Sequence, residues 1–312
     1  MQQRGALRFA LTRLLSAIPT LFLIIVLAFM MMRAAPGGPF DEERAIPPET
    51  AANIERAYHL DESLPRQFRR YFGGLLRGDL GPSYRYPGYS VAELIGGAMR
   101  YSLQLGALAM LSALILGVGA GVLAAVRKRS LLDRMVTGLA MTGISIPIFV
   151  IAPLFLLVFA VYLGWLPASW GDSESGLRYV LPVIALALPQ VAYVTRMTRA
   201  SMIEVMNSDF IRTARAQGLS TFTIVRRHAL RPAMVPLLSY MGPAVAAVLT
   251  GSVVVEQIFG IPGLGQLFVR SALNRDYTLV LGIVIFYATL VIVFNLLVDI
   301  AYGFLDPRIR RQ

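Results

Sequence analysis

Six runs of mostly apolar residues, each about as long as a bilayer-crossing helix, dominate this chain and set its solvent. A crossing helix takes about 20 predominantly apolar residues, because lipid offers no partner to a backbone N–H or C=O. The runs fall at about residues 14–32, 101–126, 136–163, 179–194, 234–255 and 279–304. Charges in or beside them are few, chiefly Arg100, Arg178, Glu256 and Asp299. Pro19, Pro147, Pro153, Pro182, Pro189, Pro236 and Pro243 lie in these runs, which predicts kinked helices. The composition agrees: 56% of residues are hydrophobic and 15% charged, against about 45–50% and about 25% in soluble globular chains. The expected fold class is all-α, a polytopic membrane protein with six transmembrane helices. The first run follows Arg4, Arg8 and Arg13 but exceeds the ~7–15-residue core of a signal peptide, so it reads as a retained span.

The loops between runs give the orientation. The N-terminus, residues 127–134, residues 196–231 and the tail from 306 to 312 carry net charges of +3, +3, +5 and +2. The whole chain carries +11, so everything else is net acidic. The basic loops alternate with the others, as six spans require, and the positive-inside rule puts both termini in the cytoplasm. The same clustering accounts for the charge without nucleic acid, which is not expected as a partner; the bilayer is.

Two polar excursions stand out. Residues 36–99 lie outside the membrane on this topology, between the first and second spans. Tyr58, Leu60, Leu64, Phe68, Tyr71, Phe72, Leu75 and Leu76 repeat there at helical spacing among charged residues. A cap on the membrane surface and a docking platform for an external partner both fit. The second excursion, about residues 205–232, lies inside. Ser208 or Asp209 can cap a helix that Gly218 ends, and Ser220 or Thr221 can cap a second that stops at Pro232. Ala214 and Ala216 are small enough to let another protein surface come close. An amphipathic helix with arginines on anionic headgroups fits this stretch equally.

Several chemistries are excluded. The chain has no cysteine, and its two histidines, His59 and His228, form no metal pair. A phosphate-cradling G-x-x-x-x-G-K-[ST] loop needs a lysine after glycine, and the one lysine, Lys128, stands between Arg127 and Arg129. The chain is therefore expected not to be an enzyme, and energy for active transport must come from a partner. Asp299 is the main acidic candidate within a span for a stand-alone carrier.

At residues 209–232 the sequence resembles the cytoplasmic EAA loop of ABC-importer permeases, E-A-A-x3-G-x9-I-x-L-P. Gly218 takes the glycine, Arg212, Thr213 and Ala214 fall on E-A-A, and Leu230 falls on the leucine. His228 and Arg231 replace the isoleucine and proline, and Pro232 comes one place late. The departures resemble the peptide/nickel subfamily, closest to the first permease of oligopeptide importers. Other segments agree: Ala34-Ala-Pro-Gly-Gly-Pro-Phe40, Tyr58-His-Leu-Asp, Gln67-Phe, Gly78-Asp-Leu-Gly-Pro-Ser83, Glu256-Gln-Ile-Phe-Gly-Ile-Pro-Gly-Leu-Gly-Gln266 and Asn274-Arg-Asp-Tyr277.

The resemblance implies a type I ABC importer permease fold in a bacterial inner membrane. It divides the chain into residues 1–35, with the N-terminus and first span, an extracytoplasmic segment at 36–99, and a permease core at 100–312. It implies a second homologous permease, two cytoplasmic ATPase subunits that hold ATP and Mg, and an extracytoplasmic peptide-binding protein. No cofactor is expected on this chain. The ATPase-coupling loop would comprise Asp209, Arg212, Thr213, Ala214, Arg215, Ala216, Gly218 and Leu219. The face toward the binding protein would include Tyr58, Leu60, Asp79 and Gly81. Oligopeptides are the first expected cargo, with dipeptides, glutathione or nickel complexes as alternatives.

Overall fold

Lipid-length helices make up the computed structural model, which describes residues 2–34, 61–172 and 174–305. In chain order the main helices are α1 (Gln2–Ala34), α2 (Leu64–Leu75), α3 (Val91–Val126), α4 (Leu131–Ser145) and α5 (Ile148–Phe155). They continue as α6 (Val180–Met206), α7 (Asp209–Ala216), α8 (Thr221–Ile224), α9 (Leu230–Ala233), α10 (Val235–Phe259), α11 (Leu264–Leu273) and α12 (Tyr277–Leu305). Among the described residues, five stretches, in α1, α3, α6 together with the 3-10 turn before it (Gly176–Tyr179), α10 and α12, are long and apolar enough to cross a membrane, and a bent pair counted as one span makes a sixth.

That bent pair corrects the expected third span. Residues 136–163 were to form one kinked helix; instead α4 and the stretch Ile148–Tyr162 meet at 103°. Pro147 is the cause. The residue before a proline is pushed out of the helical region, and Ile146 accordingly has ψ 122°. α5 then starts after Pro147 and widens into a π-helical turn at Leu156–Tyr162.

The second span also begins earlier than expected. Ser90 and Glu93 close a capping box: the Ser90 hydroxyl accepts from the Glu93 N–H at 3.2 Å, and the Ser90 N–H donates to the Glu93 carboxyl at 2.8 Å. The helix then runs for 36 residues, about 54 Å at 1.5 Å per residue. Val91–Met99, the last nine residues assigned to the excursion at 36–99, are thus the start of α3.

α3 and α6 pack without bulky side chains between them. Ala109, Ala113, Gly117, Gly121 and Ala125 recur every fourth residue of α3, and all are buried. A Cβ on Gly117 would lie 2.7 Å from Val194, and one on Gly121 would lie 2.7 Å from the Thr195 carbonyl oxygen. Small residues at this spacing let two helix backbones touch, which replaces the hydrophobic drive that lipid cannot supply. Arg199 of α6 then reaches Asp133 in the first turn of α4, at 2.5 and 2.9 Å. α2 lies on α1 through aromatic edges, with Phe72 at 5.5 Å from Phe22 and Phe68 at 5.3 Å from Phe29.

Candidate functional site

The helix–turn–helix at the arginine-rich end of the bundle forms as the sequence predicts. α7 follows Ser208, whose hydroxyl donates back to the Val205 carbonyl at 2.6 Å rather than capping the helix. Gly218 ends it at φ 79°. The Gly218 N–H donates to the Arg215 carbonyl at 2.9 Å and the Leu219 N–H to the Ala214 carbonyl at 3.3 Å, a complete Schellman motif. Ser220 caps α8 by accepting from the Thr223 N–H at 3.3 Å. Pro232 does not stop this second helix. A π-helical turn at Val225–Ala229 precedes α9, so the proline's missing N–H interrupts no regular α repeat.

Burial settles which side of α7 is free. Ile211 and Ala214 are 0% and 5% exposed, packed with Ile224, Ala229 and Ala233 against Met202 of α6 and Ala125 of α3. Ala214 is therefore not a gap left for another protein; it lets α7 lie close on its own chain. The outward side carries Asp209, Arg212, Thr213, Arg215 and Ala216. Arg212 meets Asp209 at 3.1 Å, a contact within its own helix. Two exposed aromatics were not singled out from the sequence, Phe210 and Phe222, and the Arg226 guanidinium lies 5.7 Å from the Phe222 ring. The signal was present: Phe210 stands one place before Ile211, off the buried stripe.

At the opposite end Asp79 and Gly81 form a tight turn. The Gly81 N–H donates to the Asp79 carboxyl at 2.8 Å, and Gly81 has φ 85°. Tyr58 and Leu60, the other residues expected here, lie outside the described ones. Ser83 and its neighbours are fastened to a buried acid, Asp276. Its carboxyl accepts from the Ser83 hydroxyl, from the Tyr84 and Arg85 N–H groups at 3.2 and 3.3 Å, and from the Leu279 N–H at 3.2 Å. Asp276 thus caps α12 and grips the loop through Ser83 with one side chain.

A second buried acid, Glu256, explains the glycines around it. Its carboxyl accepts from the Ser102 hydroxyl at 2.7 Å and from the Gly265 and Gln266 N–H groups at 2.6 and 3.4 Å. These N–H groups are orphan donors in the first turn of α11, whose N-cap, Gly263, has no side chain to offer. A Cβ on Gly263 would lie 2.4 Å from the Glu256 carboxyl, and one on Gly265 would lie 2.4 Å from Val253. The Gly-Leu-Gly spacing is therefore set by the fit to Glu256 and Val253.

The profile of the family described as "Binding-protein-dependent transport system inner membrane component" matches residues 117–311. The chain belongs to this family. The N-terminal profile of such membrane components matches residues 6–91. The oligopeptide transport system permease protein OppB of Haemophilus influenzae is 50% identical over 304 residues, covering 97% of this chain and 99% of that protein. The protein of the same name from Escherichia coli K12 is 52% identical over 305 residues, with 97% and 99% covered. The Bacillus subtilis dipeptide transport system permease protein DppB is 42% identical over 303 residues, with 97% and 98% covered.

Among solved structures, the MetNI methionine ABC transporter in inward facing conformations gives a TM-score of 0.57 at 18% identity, over 68% of this chain and 96% of that one. An amino acid ABC transporter gives 0.51 at 20% identity, over 68% and 94%. The fold is that of a type I ABC importer permease. As a permease subunit of this family the chain is a multi-pass inner membrane protein and not itself an ATPase. The stand-alone carrier suggested by Asp299 gives way to this assignment.

Proposed function

We propose that this permease forms half of the membrane path of a peptide importer, with oligopeptides as first cargo. The observation that carries this is identity of 50–52% along almost the full chain with permeases named for oligopeptide transport. Dipeptides are the second reading, supported by the 42% identical relative. A second, homologous permease completes the path, and an extracytoplasmic binding protein delivers cargo to the end that bears Asp79 and Gly81. Both termini and α7 face the cytoplasm, where two ATPase subunits bind ATP and Mg.

α7 and α8 are the docking surface for one ATPase. Phe210 and Phe222 supply apolar anchors, and Arg212, Arg215 and Arg226 supply charge around them. The buried face of the same loop touches both α3 and α6, so a push on Phe210 reaches two spans through Ile211 and Ala214. ATP would then act as any ligand does, by binding one state of the assembly more tightly than the other.

Purification of the tagged chain in mild detergent, with mass spectrometry of its companions, tests the assembly. A second permease and P-loop ATPases are expected; a lone chain or homo-oligomer would overturn the reading. Phe210→Glu is expected to lose the ATPases while keeping the second permease. Gly218→Val should act through the turn, because a left-handed backbone costs a residue with a side chain about 1–2 kcal/mol. That corresponds to about a tenfold loss of correctly docked loop. Peptide uptake in cells should fall accordingly, with the membrane level of the chain unchanged; normal uptake would remove α7 from the coupling role.

A further inference from the structure

A cavity of about 420 Å³ opens between the C-terminal end of α1, α2, the loop through Asp79 and Gly81, and the start of α12. Its depth in the bilayer follows from the helices that border it. The candidate spans Leu15–Ala34 and Tyr277–Val298 both terminate at this cavity, so it sits where hydrocarbon gives way to headgroups. The lining is graded to match. Phe29 and Leu281, 3% and 4% exposed, form an apolar floor that continues into the packing of α1 on α12. Tyr84 and Tyr277 also line it, the ring type that favours the membrane–water boundary. Arg33 and Arg70 stand at the rim.

The two arginines are held at this rim by different means. The Arg33 guanidinium lies 5.5 Å from the Phe29 ring. Arg70 donates one Nη2 bond to Glu62 at 2.5 Å, an ion pair whose arginine side chain is 54% exposed. A guanidinium has five N–H donors in a planar fork suited to phosphate, so one bond to Glu62 leaves donors for a second anion. Asp79 at the same rim carries the opposite charge.

We propose that this cavity binds a membrane phospholipid, with the phosphate between Arg33 and Arg70 and the upper acyl chain against Phe29, Met32 and Leu281. Asp79 matches the amine of an ethanolamine headgroup. No residue of α7 or α8 lines this cavity, and the proposal stands whatever the cargo. Its effect would be to fasten α2 and the outer end of α1 to the bilayer at a fixed depth.

The test is photolabelling of the assembled transporter in vesicles containing phosphatidylethanolamine with a diazirine near the top of one acyl chain. Label is expected on Phe29, Met32 and Leu281 in wild type, reduced at least fivefold in the double variant Arg33→Gln, Arg70→Gln. Label on Leu111 and Ile115, exposed on α3 far along the chain, should be unchanged in the variant, which shows that it is folded. Equal labelling of the cavity in both proteins would overturn the proposal. So would loss of label on adding inorganic phosphate in large excess, because that result marks a soluble-anion site.

Discussion

Glu256→Ala is expected to cost this permease more stability than any other single polar substitution in the described residues. The side chain is fully buried near the end of α10 and joins three helices: its own, α3 through Ser102, and α11 through the Gly265 and Gln266 N–H groups. Alanine leaves those donors without an acceptor, in surroundings where water cannot replace it. A buried group stripped of its partner costs about 1–3 kcal/mol. With three donors sharing one carboxyl, the loss is on the order of 3–5 kcal/mol, against a total of about 5–15 kcal/mol for a typical protein. The Ser102 hydroxyl also accepts from the Leu264 N–H at 2.8 Å, so the damage spreads along the first turn of α11. Thermal melting of the detergent-solubilised complex, followed by size exclusion, is the measurement. Glu256→Gln keeps one acceptor oxygen and should fall between wild type and alanine. An unchanged melting curve for alanine would show that α11 needs no cap.

The second large effect is steric. Gly121→Leu should prevent α3 from seating on α6, whereas Gly119→Leu, two residues away on the same helix, should be tolerated. A Cβ at position 121 meets the Thr195 carbonyl oxygen and the Thr198 Cβ, both at 2.7 Å, and two rigid backbones cannot yield as a flexible side chain would. At position 119 the same Cβ meets nothing within 4 Å. Overpacking a tight contact costs about 1–3 kcal/mol or more, and leucine brings three carbons beyond Cβ. Helix propensity favours leucine over glycine by up to about 1 kcal/mol, which adds to the tolerance expected at position 119. Membrane levels and melting of the two variants decide it: equal behaviour would mean that the close approach at Gly121 contributes nothing.

The spans were legible because lipid imposes one rule on every residue of a crossing helix, and hydropathy reads that rule locally. The Gly218 turn was legible for a similar reason, since its motif closes within six residues. Glu256 was visible as a charge beside a span and Asp276 as an acid in a family segment, but neither showed its partners. Their partners Ser102 and Ser83 lie 154 and 193 residues away, and no local pattern joins them. The 103° bend was misjudged because Pro147 announces a break without its angle. Ala214 was misread for another reason. Its size drew notice, while its spacing from Ile211, three residues on the same face of α7, already assigned it to the buried stripe. Phe210, between that stripe and the acid that opens the helix, was the residue with surface to offer.

The grip of Asp276 on Ser83, Tyr84 and Arg85 bears on how such permeases can be recombined. The loop through Ser83 and the head of the last span are remote in sequence yet form one fitted part. A hybrid that joins the first hundred residues of one relative to the remainder of another would split that part between two parents. Grafts should be cut so that the loop through Ser83 and the segment through Leu279 come from the same donor, and a library built on that rule should yield more folded hybrids than one cut at random.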